Sequence, residues 1–145
     1  MEQRDLLKDQ IEQLGKVLAK ILSDFLGLKS KGQVSQGIEI TNQRLQSELD
    51  IDIEKLGALS KNELKDYLEN RKLTAEHIEV LSEYLKEIGI REIKIDKKKA
   101  RMCLEQAIDL LDVADEISQT MSFNRINKKK EIKNVLQSSR WLAVI

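Results

Sequence analysis

Apolar residues recur every three or four positions along most of this chain. Between residues 4 and 26, Leu7, Ile11, Leu14, Leu18, Leu22 and Phe25 keep that spacing, with Ile21 and Leu26 widening the stripe; the pattern predicts an amphipathic helix. Gly15 interrupts the stripe at a cost of about 1 kcal/mol relative to Ala, which a close helix crossing at that point would explain. Gly27 is the expected C-cap, and Ser30, Lys31 and Gly32 supply the turn. A second helix is predicted over 33–49, with Val34, Ile38, Thr41, Leu45 and Leu49 on one face. The short connection makes the two helices an antiparallel hairpin. Residues 50–59 alternate loosely through Ile51, Ile53, Leu56 and Leu59. With no second strand available to pair, they read as a connector that tucks its apolar side chains under the hairpin.

Helix starts are well marked in the rest of the chain. Ser60 followed by Glu63 forms a capping box, and Leu59 with Leu64 a hydrophobic staple, opening a short helix that runs to about Asn70. Thr74 caps the next helix, with Leu73 and Ile78 as its staple; Ile78, Leu81, Leu85 and Ile88 point inward, and the helix is expected to end near Gly89. Residues 90–95 form a connector. Asp96 then caps a helix whose apolar face is Ala100, Cys103, Leu104, Ala107, Ile108, Leu111 and Ala114, continued by Ile117 and Met121. A last helix, about 127–139, carries Ile132, Val135 and Leu136.

Composition narrows the class further. The 145 residues contain no proline, six glycines and one cysteine, and 34% of them are charged. A disulfide scaffold is excluded by the lone Cys103, and a turn-rich β-sandwich or barrel is disfavoured. Aromatics make up only 3%, so Leu and Ile must supply most of the burial, at about 1.5–3 kcal/mol per fully buried side chain. The start of the chain, Met1-Glu2-Gln3-Arg4-Asp5, lacks the basic and apolar regions of a signal peptide. No apolar stretch approaches the ~20 residues of a membrane span. The expected location is the cytoplasm, with Cys103 reduced. No linker divides the chain, so 1–145 is read as one all-α domain of five to six helices.

Two hairpins, 4–49 and 74–114, look related. The second helix of the later one reads Asp96-Lys-Lys-Lys-Ala100-Arg-Met-Cys-Leu-Glu-Gln-Ala107-Ile-Asp-Leu110. It closely resembles the second helix of a tetratricopeptide repeat, where small residues such as Ala100 and Ala107 let neighbouring helices approach. In the first hairpin Gly32 starts the turn and Gly37 takes the first small position, but Arg44 stands where the second small residue belongs. Packing there must differ, or the arginine lies at an open edge. The stretches Ile11-Glu-Gln-Leu-Gly-Lys-Val-Leu-Ala-Lys-Ile21 and Leu28-Lys-Ser-Lys-Gly32-Gln resemble a family of small, uncharacterised bacterial helical proteins. That resemblance implies a tetratricopeptide-like arrangement of antiparallel helical hairpins, and it implies no reaction.

Catalytic and metal chemistry find little support. His77 is the only histidine, which removes any multi-histidine metal site; in the first turn after Thr74 it is expected to face solvent or to be a hydrogen-bond partner. Cys103 lies on an apolar face and reads as a small buried hydrophobe. Gly27, Gly32 and Gly37 are spaced wrongly for a phosphate-binding loop. No cofactor or metal is expected, and the chain is read as not an enzyme.

The charges, 25 basic against 25 acidic, come in blocks. Residues 48–69 carry Glu48, Asp50, Asp52, Glu54, Glu63, Asp66 and Glu69 against three lysines, and residues 105–116 carry five acids and no base. The basic run 91–101 holds Arg91, Lys94, Lys97, Lys98, Lys99 and Arg101; the run 125–133 holds Arg125, Lys128, Lys129, Lys130 and Lys133. Either the basic runs pair with the acidic ones, within the chain or across a dimer, or they converge into a patch for an anionic partner such as nucleic acid. Lys97–Lys99 open a helix, where positive charge opposes the macrodipole by about 0.3–1 kcal/mol each. Candidate contacts are therefore Lys97, Lys98, Lys99, Arg101, Lys128, Lys129 and Lys130. The apolar end, with Trp141, Leu142, Val144 and Ile145, is a candidate interface that either docks back or inserts into a partner. The leading expectation is a helical protein–protein interaction or scaffold module that binds a partner protein or self-associates as a homodimer; the alternative is a nucleic-acid- or anion-binding module on the two basic runs.

Overall fold

The computed structural model describes residues 2–138, with side chains from residue 8 onward. Leu7 and the candidate interface Trp141, Leu142, Val144 and Ile145 lie outside the described side chains. The described residues contain seven helices and no strand: α1 (Glu2–Ser30), α2 (Val34–Leu49), α3 (Ile53–Leu56), α4 (Lys61–Asn70), α5 (Ala75–Glu92), α6 (Lys97–Ser118) and α7 (Phe123–Leu136). That is one more than the five to six expected. The addition is the single turn α3, nucleated inside the connector by Asp52, whose carboxylate accepts the N–H groups of Glu54 and Lys55.

The long stripe of α1 buries Leu18, Ile21 and Phe25. Gly27 does not stop this helix. Nothing lies within 4 Å of the position its Cβ would take, and the chain turns instead at Gly32, whose φ of +76° only glycine adopts without strain. α2 returns along α1 through Gly37, where a Cβ would stand 3.3 Å from Leu28 and 3.4 Å from Phe25. The connector does tuck under the hairpin, since Ile51 and Leu56 have no exposed surface. Its turn is held from outside. The Tyr67 hydroxyl accepts the Asp52 N–H at 2.9 Å, and Arg71 stacks on the Tyr67 ring while bonding the Asp50 carbonyl.

The expected helix starts are present. Ser60 and Glu63 exchange both capping-box bonds, and Thr74 and Asp96 cap α5 and α6. The stops differ. α5 runs through Gly89 to Glu92, because Gly89 is a packing position: a Cβ there would lie 2.7 Å from Leu104 Cγ and 3.3 Å from the Ala100 carbonyl oxygen. Ala100, Leu104 and Ala107 facing it are fully buried, and the Ser82 hydroxyl donates to the Ala107 carbonyl at 2.7 Å inside this seam. α6 ends at Gln119, in the left-handed region at φ 58°. Met121 therefore leaves the apolar face on which it was expected and is 72% exposed. Ser122 caps α7, which starts at Phe123, four residues before its expected start at 127.

The layers follow from these contacts. α5 and α6 form the central hairpin, α1 lies on α5 with α2 packed against α1, and α4 and α7 lie on α6. Tyr84 of α5 ties the first hairpin down: its ring meets Phe25 edge-on at 4.9 Å, and its hydroxyl donates to Asn42 Oδ1 at 2.6 Å.

The two glycines give opposite expectations. Gly89→Ala should lower stability by about 1–3 kcal/mol through overpacking against Leu104, a fall of roughly 2–4 °C in Tm per kcal/mol for a chain of this size. Gly27→Ala should raise stability by about 0.5–1 kcal/mol, since only helix propensity changes. Thermal denaturation of the two variants measures both; equal effects would mean that the α5–α6 seam is looser than described.

Candidate functional site

The two basic runs occupy separate places. Lys97, Lys98 and Lys99 form the first turn of α6, with Arg101 exposed just beyond. The second run lies on α7, where Lys129 bonds Asp112 at 3.1 Å and Asp115 at 2.9 Å. Asp112 is about 20 Å from Lys99 along α6, at about 1.5 Å of rise per residue. Lys129 therefore stands well away from Lys99, while further along α7 Glu131, between Lys130 and Lys133, reaches Lys86 of α5. Much of the second run is already neutralised: Arg125, with a side chain 7% exposed, pairs with Asp115 and with Glu79 and also donates to Ser118 and Thr120. On the other flank of α6, Lys61 pairs with Asp112 at 2.9 Å. Lys97, Lys98, Lys128 and Lys130 have no ion pair among the described residues.

Of the two expectations for Arg44, different packing or an open edge, the structure shows different packing. The guanidinium is half-buried between Asp24 and Glu48, at 2.8 Å from each. The small-residue spacing of the later hairpin is thus replaced by an ion-pair bridge between α1 and α2.

His77 is buried, with 7% of its surface exposed. Its Nδ1 accepts the Thr74 N–H at 3.1 Å, completing a capping box, and its Nε2 lies 3.0 Å from where a Gly15 Cβ would stand. The close crossing expected at Gly15 is therefore a contact with His77 of α5. Burial pushes the His77 pKa below its ordinary value of 6.5, against the opposing pull of Glu76 and the Ile11 backbone. Cys103 is half-buried, and burial raises its thiol pKa although Lys99 is near. It stays protonated at neutral pH, and the nearby Glu92 carboxylate reinforces the shift, which is the reverse of an activated nucleophile. Among the described residues, no group of three or more His, Cys, Asp or Glu side chains is placed to hold a metal ion, and no helix is long and apolar enough to cross a membrane.

The feature with the geometry of a binding site is an apolar groove of about 230 Å³ where α2, α3, α5 and α6 meet. Ile38, Ile53, Leu85, Ile88, Met102 and Cys103 line it. Met102 is 50% exposed at its edge. Two amide side chains enter it, each held at one end by the fold. Gln106, 7% exposed, donates from Nε2 to the Leu56 carbonyl at 2.6 Å, and Asn42 accepts the Tyr84 hydroxyl on Oδ1. The free ends are the Gln106 carbonyl and the Asn42 amide nitrogen. A buried acceptor without a donor costs about 1–3 kcal/mol, and a donor entering the groove would remove that cost at Gln106. Lys99 and Glu54 stand at the two mouths of the groove.

Of these residues, only Lys99 was a candidate from sequence. Gln106 carried a readable signal, being a polar residue three positions after Cys103 on an otherwise apolar stripe. Asn42 carried none, because its role depends on Tyr84, more than forty residues away in sequence.

No family model matches the chain, and neither a curated protein nor a solved structure matches it. The groove and its chemistry are therefore interpreted from their own geometry.

The buried titrating groups make stability depend on pH in two steps. With the folded His77 pKa below 6.5, the unfolded chain binds that proton more readily, so stability is full above pH 6.5 and falls as pH drops below it. Asp112 and Asp115 are raised by burial but lowered more by their lysine and arginine partners, and both end below 3.8. Their contribution is present above that value and is lost as pH falls beneath it. Denaturant midpoints measured from pH 8 to pH 3 should show both declines, and proton NMR of the single histidine should give a midpoint below 6.5; an NMR midpoint above that value would reverse the first sign.

Proposed function

We propose that this chain is a non-catalytic, cytoplasmic helical module for protein–protein interaction, built from two tetratricopeptide-like hairpins, α1–α2 and α5–α6. We further propose that the groove between α2, α5 and α6 is its partner-binding surface. The observation that carries this reading is the free, buried Gln106 carbonyl set in an apolar lining. At about 230 Å³ the groove is smaller than the roughly 300–1,000 Å³ of sites for cofactor-sized ligands. Its size suits one or two apolar side chains of another polypeptide. Met102 at the edge adds a flexible, polarizable side chain that adapts to different occupants. Ala100 and Ala107, the positions that resemble a tetratricopeptide repeat, are fully buried in the α5–α6 seam, which supports the hairpin reading of that half.

The nucleic-acid alternative has weaker support. It needs both basic runs free to face an anion, yet Arg125 and Lys129 are engaged by Asp115, Asp112 and Glu79. Self-association remains one form of the proposed interaction, with a second copy as the partner.

A displayed library of fifteen-residue peptides selected on the full chain tests the reading. Peptides retained by the wild type should bind Met102→Glu at least tenfold more weakly, because the carboxylate would be placed in the apolar groove while the half-exposed site leaves folding intact. Retained peptides indifferent to this substitution, or no retained peptide at all, would sink the proposal.

A further inference from the structure

The groove constrains the chemistry of its occupant as well as its size. Its two free amide ends differ: Gln106 Oε1 is an acceptor and Asn42 Nδ2 a donor, and each is held in place by a bond at the opposite end of its side chain, to Leu56 and to Tyr84. An acceptor and a donor facing one space are the complement of a main-chain peptide unit, which offers one N–H and one C=O. The charges at the mouths are also unlike. Lys99 stands at one mouth, 3.9 Å from Glu92, whose carboxylate is held more closely by Arg91 at 3.1 Å. Beside it, Lys98 is exposed and has no ion pair among the described residues. Both lysines sit in the first turn of α6, where the helix dipole disfavours positive charge and a neighbouring anion relieves the conflict. At the other mouth Glu54 repels an anion.

We propose that the groove binds an extended peptide segment that seats one aliphatic side chain on Leu85 and Ile88, pairs its main chain with Gln106 and Asn42, and carries an acidic residue only on the flank facing Lys98 and Lys99. This rests on the reading of the groove as a partner-binding surface and adds the partner's chemical class and its polarity. An aliphatic anchor fits the lining, main-chain pairing satisfies the buried carbonyl, and unlike mouths select one direction of the peptide.

The test uses the full chain and an immobilised library of hexapeptides with Leu fixed at the third position and the remaining positions randomised. Retained peptides should be enriched in Asp and Glu on one side of the Leu and depleted of them on the other. N-methylation of each amide of the best hexapeptide in turn should weaken binding at least tenfold at one position, since it removes the donor to Gln106 without altering the protein. The double variant Lys98→Glu, Lys99→Glu should turn the acidic preference into a preference for Lys. Hexapeptides that lose affinity to Met102→Glu yet show no charge preference, or tolerate every N-methylation, would overturn this proposal and leave the interaction reading standing. If no hexapeptide is retained, or if those retained ignore Met102→Glu, both fall. A chain lacking residues 139–145 that binds the best hexapeptide at least tenfold more tightly than the full chain would also overturn it, by making that segment the occupant.

Discussion

The approach of α5 to α6 is the contact on which the rest of the structure depends. Gly89, Ala100 and Ala107 remove side-chain bulk from the seam, and Leu104 fills the space left over Gly89. The Ser82 hydroxyl satisfies a carbonyl inside it. Helices this close act as one rigid layer, because a packed interior has no spare volume to absorb sliding. Every other helix is positioned against that layer, α1 and α2 through Tyr84 and Phe25, α4 and α7 through the acidic face of α6. The groove is a by-product of the same geometry. Its lining belongs to the fixed layer, and its far wall is α2, held at a set distance by the Tyr84–Asn42 bond.

The balanced charge is spent largely inside the molecule. The acidic face of α6 is met from one flank by Lys61 and from the other by Arg125 and Lys129. Arg125 is nearly fully buried and its guanidinium has four partners, Asp115, Glu79, Ser118 and Thr120, which is what a buried guanidinium needs to offset its desolvation. The charges left over are unevenly placed, with Lys97 and Lys98 at one end of α6, Lys128 and Lys130 on α7, and Glu54 near the connector. The segregation seen along the chain therefore separates into a structural part, on α4, α6 and α7, and a smaller remainder, some of it around the groove.

Local signals in the sequence were reliable where the physics is local. Ser60 with Glu63, Thr74 and Asp96 mark helix starts because a side-chain oxygen bonding an N–H three residues on needs nothing beyond its own turn. Helix ends were less legible. Gly27 and Gly89 look alike as possible stops, yet one faces open space and the other another helix. The stop after α6 is made by Gln119 in a conformation that a non-glycine residue rarely adopts. His77 shows the same division: its bond to Thr74 is local and was within the expected outcomes, whereas its burial comes from Gly15 of α1.

The sequence by itself determined that the chain is all-α, where most helices begin and which faces they bury. These follow from apolar spacing and capping, whose energies act within a few residues. Only the tertiary structure decided that Arg125 and Lys129 pair with the acidic face of α6, and that Gln106 and Asn42 meet across a groove. Those outcomes depend on distances between residues far apart in sequence, and such distances are set by how closely glycine and alanine let α5 and α6 approach.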